Sequence, residues 1–173
     1  MTQGPDSHDA TTPGLAGFAA VVGLVLAPLG CVDTDPAVFV DTTIRAAQAT
    51  VTAETLATTI DGSFALELHL GPRASDTAVV QLGAVSLTTA DQAATLVDAL
   101  AVTTSPSFPV NLPIDSTIDV GVGFAAADNL LEPAAYDTLC GAGTVTVSVA
   151  LDDSLRGGTT TAVSSPFALA GCP

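Results

Sequence analysis

The stretch that decides the fold runs from Leu139 to Cys172: Leu139-Cys140-Gly-Ala-Gly, then Thr144-Val-Thr-Val-Ser-Val-Ala-Leu151, then Asp152-Asp-Ser-Leu-Arg-Gly-Gly158, then Thr159-Thr-Thr-Ala-Val163-Ser-Ser-Pro166-Phe-Ala-Leu-Ala-Gly-Cys172. Two alternating runs around a Gly-rich polar connection predict a β-hairpin. Successive strand side chains point to opposite faces. Val145, Val147, Val149 and Leu151 therefore share one face, and Val163, Phe167 and Leu169 share another. A register that sets Val149 against Val163 and Val145 against Phe167 joins these two apolar faces. A slip by one residue sends one set to water. The same register places Cys140 opposite Cys172, although the cysteines played no part in choosing it. The expectation is a disulfide at the open end of the hairpin, with two free buried thiols as the other reading. Closing a loop of this length is worth about 3–4 kcal/mol in the chain-entropy treatment. Pro166 cannot donate to a ladder, so the last strand is expected to be an edge or to bulge there.

Composition narrows the function classes. The chain has 173 residues, enough for one domain behind a leader. It has no Lys, no Trp and one Tyr, so Val, Leu, Ile, Ala and Phe must build the core. Eighteen acidic residues against three Arg give a net charge of −15. Phosphates need Lys and Arg, so nucleic acid is excluded as a partner. The same balance opposes electrostatic docking on anionic lipid.

Residues 1–14 are polar and rich in Pro, Gly, Thr and Asp, the composition of a disordered segment. Leu15 to Gly30 is apolar and shorter than a spanning helix, closer to a secretory h-region. It ends in Ala27-Pro28-Leu29-Gly30-Cys31, which resembles the lipobox of bacterial lipoproteins. That resemblance implies cleavage before Cys31 and a lipid on its thiol. An uncleaved anchor and an ordinary buried helix are the alternatives. With Cys140 and Cys172 paired, Cys31 is the odd cysteine, as a lipid-bearing residue would be. The division that follows is 1–31 as leader, 32–48 as tether and 49–173 as the folded domain. Within the tether, residues 37–48 fit either an extra strand or a turn of helix.

From Ala49 onward the pattern is one of strands, near 50–60, 64–70, 77–87, 107–112, 117–124, 144–151 and 160–170. Asp61-Gly62-Ser63 predicts a three-residue hairpin turn that matches Ile60 with Phe64 and Leu56 with Leu68. Thr89 and Gln92 have capping-box spacing, and Ala93, Leu96, Val97 and Leu100 follow at helical intervals, predicting a helix over 90–101. Pro109 and Pro113 restrict the strand between them to an edge. Ala125 to Leu139, which contains Pro133, has room for a helical turn.

About seven short strands make an all-β, two-sheet sandwich. The layout resembles an immunoglobulin-like or fibronectin type III-like domain. Glu132-Pro-Ala-Ala-Tyr136-Asp-Thr-Leu-Cys140 resembles the turn entering strand F of immunoglobulin domains, where a Tyr hydroxyl binds back to the corner. The resemblance is to the fold class, and it implies no functional residue.

Catalytic chemistry has little to stand on. Beyond the leader there is one His, His69, two residues from Glu67 on one strand face. An exposed strand His outweighs a catalytic base here, because a Ser-His-Asp arrangement needs more than these residue types. No zinc spacing and no Gly-rich phosphate loop follows a strand. A sharper candidate follows from the resemblance to an immunoglobulin-like sandwich, which implies that the B–C, D–E and F–G loops, here 71–76, 113–116 and 152–158, gather at one end. That would bring Asp76, Asp115, Asp152 and Asp153 together with Arg73 and Arg156. Carboxylate loops of this kind can hold a hard cation such as calcium. Solvated loop tips with exposed ion pairs are the more ordinary reading, because no Asp-x-Asp-x-Asp-Gly loop is present. The expected protein is therefore a non-enzymatic envelope lipoprotein. It would meet the membrane through a lipid on Cys31 and an unidentified envelope protein through its sandwich. A small cation- or carbohydrate-binding module is the alternative.

Overall fold

The computed structural model describes residues 37–126 and 131–173. Ten strands and one short helix make up the order β1 (Asp41–Ala53), β2 (Thr58–Leu70), β3 (Ala78–Thr89), β4 (Thr95–Val97), β5 (Ala101–Ser105), β6 (Val110–Leu112), β7 (Ser116–Ala125), α1 (Ala135–Gly141), β8 (Thr144–Asp153), β9 (Gly158–Val163) and β10 (Phe167–Ala168). They form two antiparallel sheets. The first runs β1-β2-β7-β5. The second has β3 and β8 at its centre. β4 and β6 flank β3 along one edge, and β9 and β10 flank β8 along the other. With β1, β2, β5 and β7 on one sheet and β3, β8 and the last hairpin strand on the other, this is an immunoglobulin-like two-sheet sandwich.

The alternation expected of half-buried strands is clear in the core. Phe64, Leu66, Leu68 and Leu70 on β2, Val120, Val122 and Phe124 on β7, and Val145, Val147, Val149 and Leu151 on β8 are all buried. Phe64 and Phe124 meet with tilted rings 6.0 Å apart. Among the described residues no buried side-chain nitrogen or oxygen lacks a hydrogen-bond partner.

Four sequence expectations need correction. The helix over 90–101 does not form. Thr89 and Asp91 instead make a tight reversal, with Gln92 at φ 59° and Ala99 at φ 48°. The capping chemistry is real but serves a turn: the Ala94 N–H donates to the Thr89 hydroxyl at 3.2 Å, and the Ala93 N–H to the Asp91 carboxylate at 3.1 Å. β4 and β5 follow, and Val97 and Leu100 are buried from strand and loop positions.

The turn at Asp61-Gly62-Ser63 is absent too. These residues continue straight through β2, and the reversal lies at Glu54–Ala57, closed by the Glu54 N–H on the Ala57 carbonyl at 2.8 Å. Val51 therefore faces Ile60, and Phe64 faces Val122. Gly62 is needed because a Cβ there would run into the Phe124 ring. It is a close approach of side chain to backbone and not a hairpin tip.

β1 starts at Asp41, ahead of the Ala49 boundary. A bulge between Arg45 and Gln48, with Ala46 at φ 52°, hides its alternation. The seven expected strands thus become ten.

The fourth correction concerns the last hairpin. Val145 faces Phe167 as expected. Further along, however, Val149 faces Ala162 and Val163 faces Ser148, one residue out of the expected register. The ladder resets across Ser164-Ser165-Pro166, the point at which Pro166 predicts an irregularity. The Ser164 hydroxyl covers the break by accepting the Val147 N–H at 3.0 Å.

Candidate functional site: the loop end and the outer face of the first sheet

The strand registers do bring the three acidic loops to one end of the sandwich. Leu70 faces Ser116, Ala78 faces Leu112, and Val80 faces Asp153, so the connections beyond these pairs share that end. The carboxylates themselves do not converge. Asp153, at the end of β8, is 4% exposed and turned inward. One of its oxygens accepts the Val40 N–H at 3.0 Å and the other the Leu155 N–H at 2.9 Å. Both oxygens are thereby engaged as backbone acceptors, which is how a buried carboxylate is made tolerable.

Asp152 points to the opposite face of the strand and accepts the Thr159 hydroxyl at 2.5 Å. Asp76 accepts the N–H of Thr77 at 2.7 Å. Asp115 occupies the β6–β7 turn with φ 56°. Among the described residues, no three His, Cys, Asp or Glu side chains are grouped so as to hold a metal ion. Arg156 does not join the acids; its guanidinium lies 5.1 Å over the Phe39 ring. Arg73 sits in the loop after β2, where the Ala74 N–H closes a turn on the Gly71 carbonyl at 3.2 Å. The loop end is thus where the chain enters the domain: Asp153 grips the backbone at Val40 and Arg156 covers the side chain before it.

The outer face of the first sheet carries the clearest charged constellation, which sequence reading missed. Arg45 reaches across two strands to Glu67 at 2.6 Å and Asp119 at 2.7 Å. The only sequence signal for this was that Glu67 lies on the polar face of β2. Arg45 stood in a stretch whose bulge concealed its strand. Beside this trio, His69 on β2 meets the Thr117 hydroxyl on β7 at 2.9 Å. His69 is thus a half-buried strand residue set against a hydroxyl, while Glu67 is drawn to arginine.

Farther along the same face the side chains shrink. Ser63 and Ala65 on β2, Gly121 and Gly123 on β7, and Thr103 and Ser105 on β5 line a shallow open depression of about 600 Å³. Gln48 borders it, donating to the Ser63 hydroxyl at 3.3 Å. The floor is glycine backbone and the rim is hydroxyl and amide. None of these lining residues is charged.

At the opposite end, Cys140 and Cys172 are joined, with Cα atoms 5.3 Å apart. The Tyr136 hydroxyl donates to the Gly171 carbonyl at 2.7 Å. It therefore binds back to backbone as the resemblance to an immunoglobulin corner implies, but the acceptor lies on the final segment. Cys31 and the apolar run before it lie outside the described residues. Among the described residues no helix is long and apolar enough to cross a membrane. No protein-family profile matches the sequence, and no curated protein or solved structure matches it either.

Proposed function

We propose that this chain is a non-enzymatic envelope lipoprotein, tethered through a lipid on Cys31, whose immunoglobulin-like sandwich serves as a scaffolding or protein-contact module. The observation that carries the reading is the outer face of the first sheet. It is a shallow, uncharged depression lined by Ser63, Ala65, Thr103, Ser105, Gly121 and Gly123 beside one compact ion-pair trio. On a chain of net charge −15 such a neutral strip is where another protein can approach without like-charge repulsion. A small-residue strip also lets a partner's side chains reach the sheet backbone.

The tether supports the same reading. The lipobox-like Gly30-Cys31 precedes the first residue gripped by the sandwich, Val40, by only a short acidic segment. Two experiments on membranes of the native host test the reading. Cys31→Ser should move the protein from the membrane to the soluble fraction; unchanged retention contradicts the lipid anchor. A photo-crosslinking side chain at Thr103 should give a discrete protein adduct, with the same probe at Thr161 on the second sheet as control. Equal labelling at both positions, or none at Thr103, contradicts the contact face.

A further inference from the structure

The final segment of the chain crosses from one sheet to the other. Phe167 and Ala168 pair with Val145 and Thr144 of β8, in the second sheet. Two residues later the segment lies parallel to β1 of the first sheet. The Ala170 N–H donates to the Ala49 carbonyl at 2.9 Å, and the Val51 N–H donates to the Ala170 carbonyl at 2.9 Å. Leu169, between these contacts, is buried. Gly171 has φ 87° and lies so close to β1 that a Cβ would strike the Val51 carbonyl. The Tyr136 hydroxyl and the Cys140 sulfur, both from α1, hold the last two contact points, Gly171 and Cys172.

We propose that this strap is a redox-controlled latch, with the Cys140–Cys172 bond as its lock. Three features carry the inference. The strap covers one edge of β1, and on that edge the Val51 N–H donates to the strap, while β2 pairs with the other side. The hydrogen-bonded hold on β1 is two backbone bonds, with Leu169 buried between them and Phe167 partly buried against the core. Both cysteines are only half-buried.

A dithiol reductant opens the lock by exchange. Its thiolate attacks one cysteine sulfur and expels the other as a thiolate; its second thiol then displaces the attacked cysteine from the mixed disulfide, and the reductant's own two sulfurs become joined. Cys140 and Cys172 leave as thiols, having taken up two electrons and two protons. Release of the strap then bares the Ala49 carbonyl and the Val51 N–H, an unpaired sheet edge of the kind proteins otherwise cover. The rest of β1 stays in the sheet through its ladder with β2.

Native-state hydrogen exchange on the full chain, oxidised and then reduced with dithiothreitol, tests the latch. The double variant Cys140→Ser/Cys172→Ser serves as a reductant-free copy of the open state. In both open forms the Val51 amide should exchange at least about tenfold faster than the buried amides of β2 and β7, a gap absent from the oxidised protein. Unchanged exchange at Val51 would show that the strap holds without its lock. Equal acceleration of Val51 and of the β2 and β7 amides would show a bond that acts on the whole fold and is no local latch. Either result overturns the proposal.

Discussion

The two ends of this sandwich fasten the two ends of the domain's chain by different chemistry. Where the chain enters, at Val40, a buried carboxylate does the work: Asp153 accepts two backbone N–H groups at 3.0 and 2.9 Å. Where the chain leaves, at Cys172, a covalent bond, one tyrosine hydroxyl and two backbone hydrogen bonds share it. A carboxylate grip is indifferent to reductant, whereas a disulfide is opened by thiol exchange. The fold therefore has one closure that reductant opens and one that it does not touch.

The largest expected effect is on the disulfide end. Cys140→Ser/Cys172→Ser should lower unfolding stability by about 3–4 kcal/mol in denaturant titration, with the far-UV spectrum of the folded protein unchanged. Peptide mapping under non-reducing conditions that found both thiols free would remove the basis for that figure. Asp153→Ala comes next. It leaves the Val40 and Leu155 N–H groups without their acceptor, and a loss of about 2–3 kcal/mol is expected. Asp153→Asn, which keeps one good acceptor, should lose less; an equal loss would mean that packing and not hydrogen bonding sets the cost.

A smaller change is expected at the exit. Tyr136→Phe removes one hydrogen bond to the Gly171 carbonyl, worth about 1 kcal/mol. In the reduced protein the same substitution should loosen the strap further, and additivity with reduction would count against a shared strap. Smaller again is the pH response of the β3–β4 turn. The Thr89 hydroxyl at 2.6 Å, and secondarily the Ala93 N–H, hold the Asp91 carboxyl below its ordinary range. A depressed carboxylate contributes above its unfolded pKa and loses that contribution as pH falls through its folded value. Local exchange at Ala93 and Ala94 should therefore quicken only in acid, without global unfolding, and Asp91→Asn should abolish that dependence. No shift at all is expected from calcium. Melting curves in EGTA and in millimolar calcium at matched ionic strength should coincide, because Asp153 already serves backbone donors. A calcium-specific rise that vanished in Asp152→Asn/Asp153→Asn would restore the loop end as a cation site.

The exit closure was legible in the sequence and the entry closure was not, for physical reasons. Val145 and Phe167 lie on apolar faces with a period of two, and the register that joins them brings Cys140 to Cys172 without further information. That register holds only near the cysteines. Beyond Pro166 the ladder slips, and Val149 meets Ala162, because β9 is a Thr-rich edge whose outer side chains do not enforce a phase. Asp153 looked like one more loop acid. β8 runs past Leu151 to Asp153, which the alternation carries onto the inward face; its partner, the Val40 N–H, comes from just ahead of β1, itself hidden by the bulge between Arg45 and Gln48. The same bulge concealed Arg45 and with it the ion-pair trio.

The two misread turns share one cause. Asp61-Gly62 has turn chemistry, but Gly62 is required by the Phe124 ring. Thr89 and Gln92 have helix-cap spacing, but their hydrogen bonds close a reversal between strands. In the first a local signal was overruled by a contact far away in sequence, and in the second the same local groups closed a turn in place of a helix.

The most direct test of two independent closures is residue-resolved hydrogen exchange at two amides, Val40 and Val51, in three samples: oxidised protein, reduced protein, and oxidised Asp153→Ala. Among the described residues the Val40 N–H donates to the Asp153 carboxylate, and the Val51 N–H to the Ala170 carbonyl. Reduction should expose Val51 and leave Val40 protected, and Asp153→Ala should do the reverse. Equal acceleration at both amides in either altered sample would contradict the account, because the two ends would then be one cooperative unit.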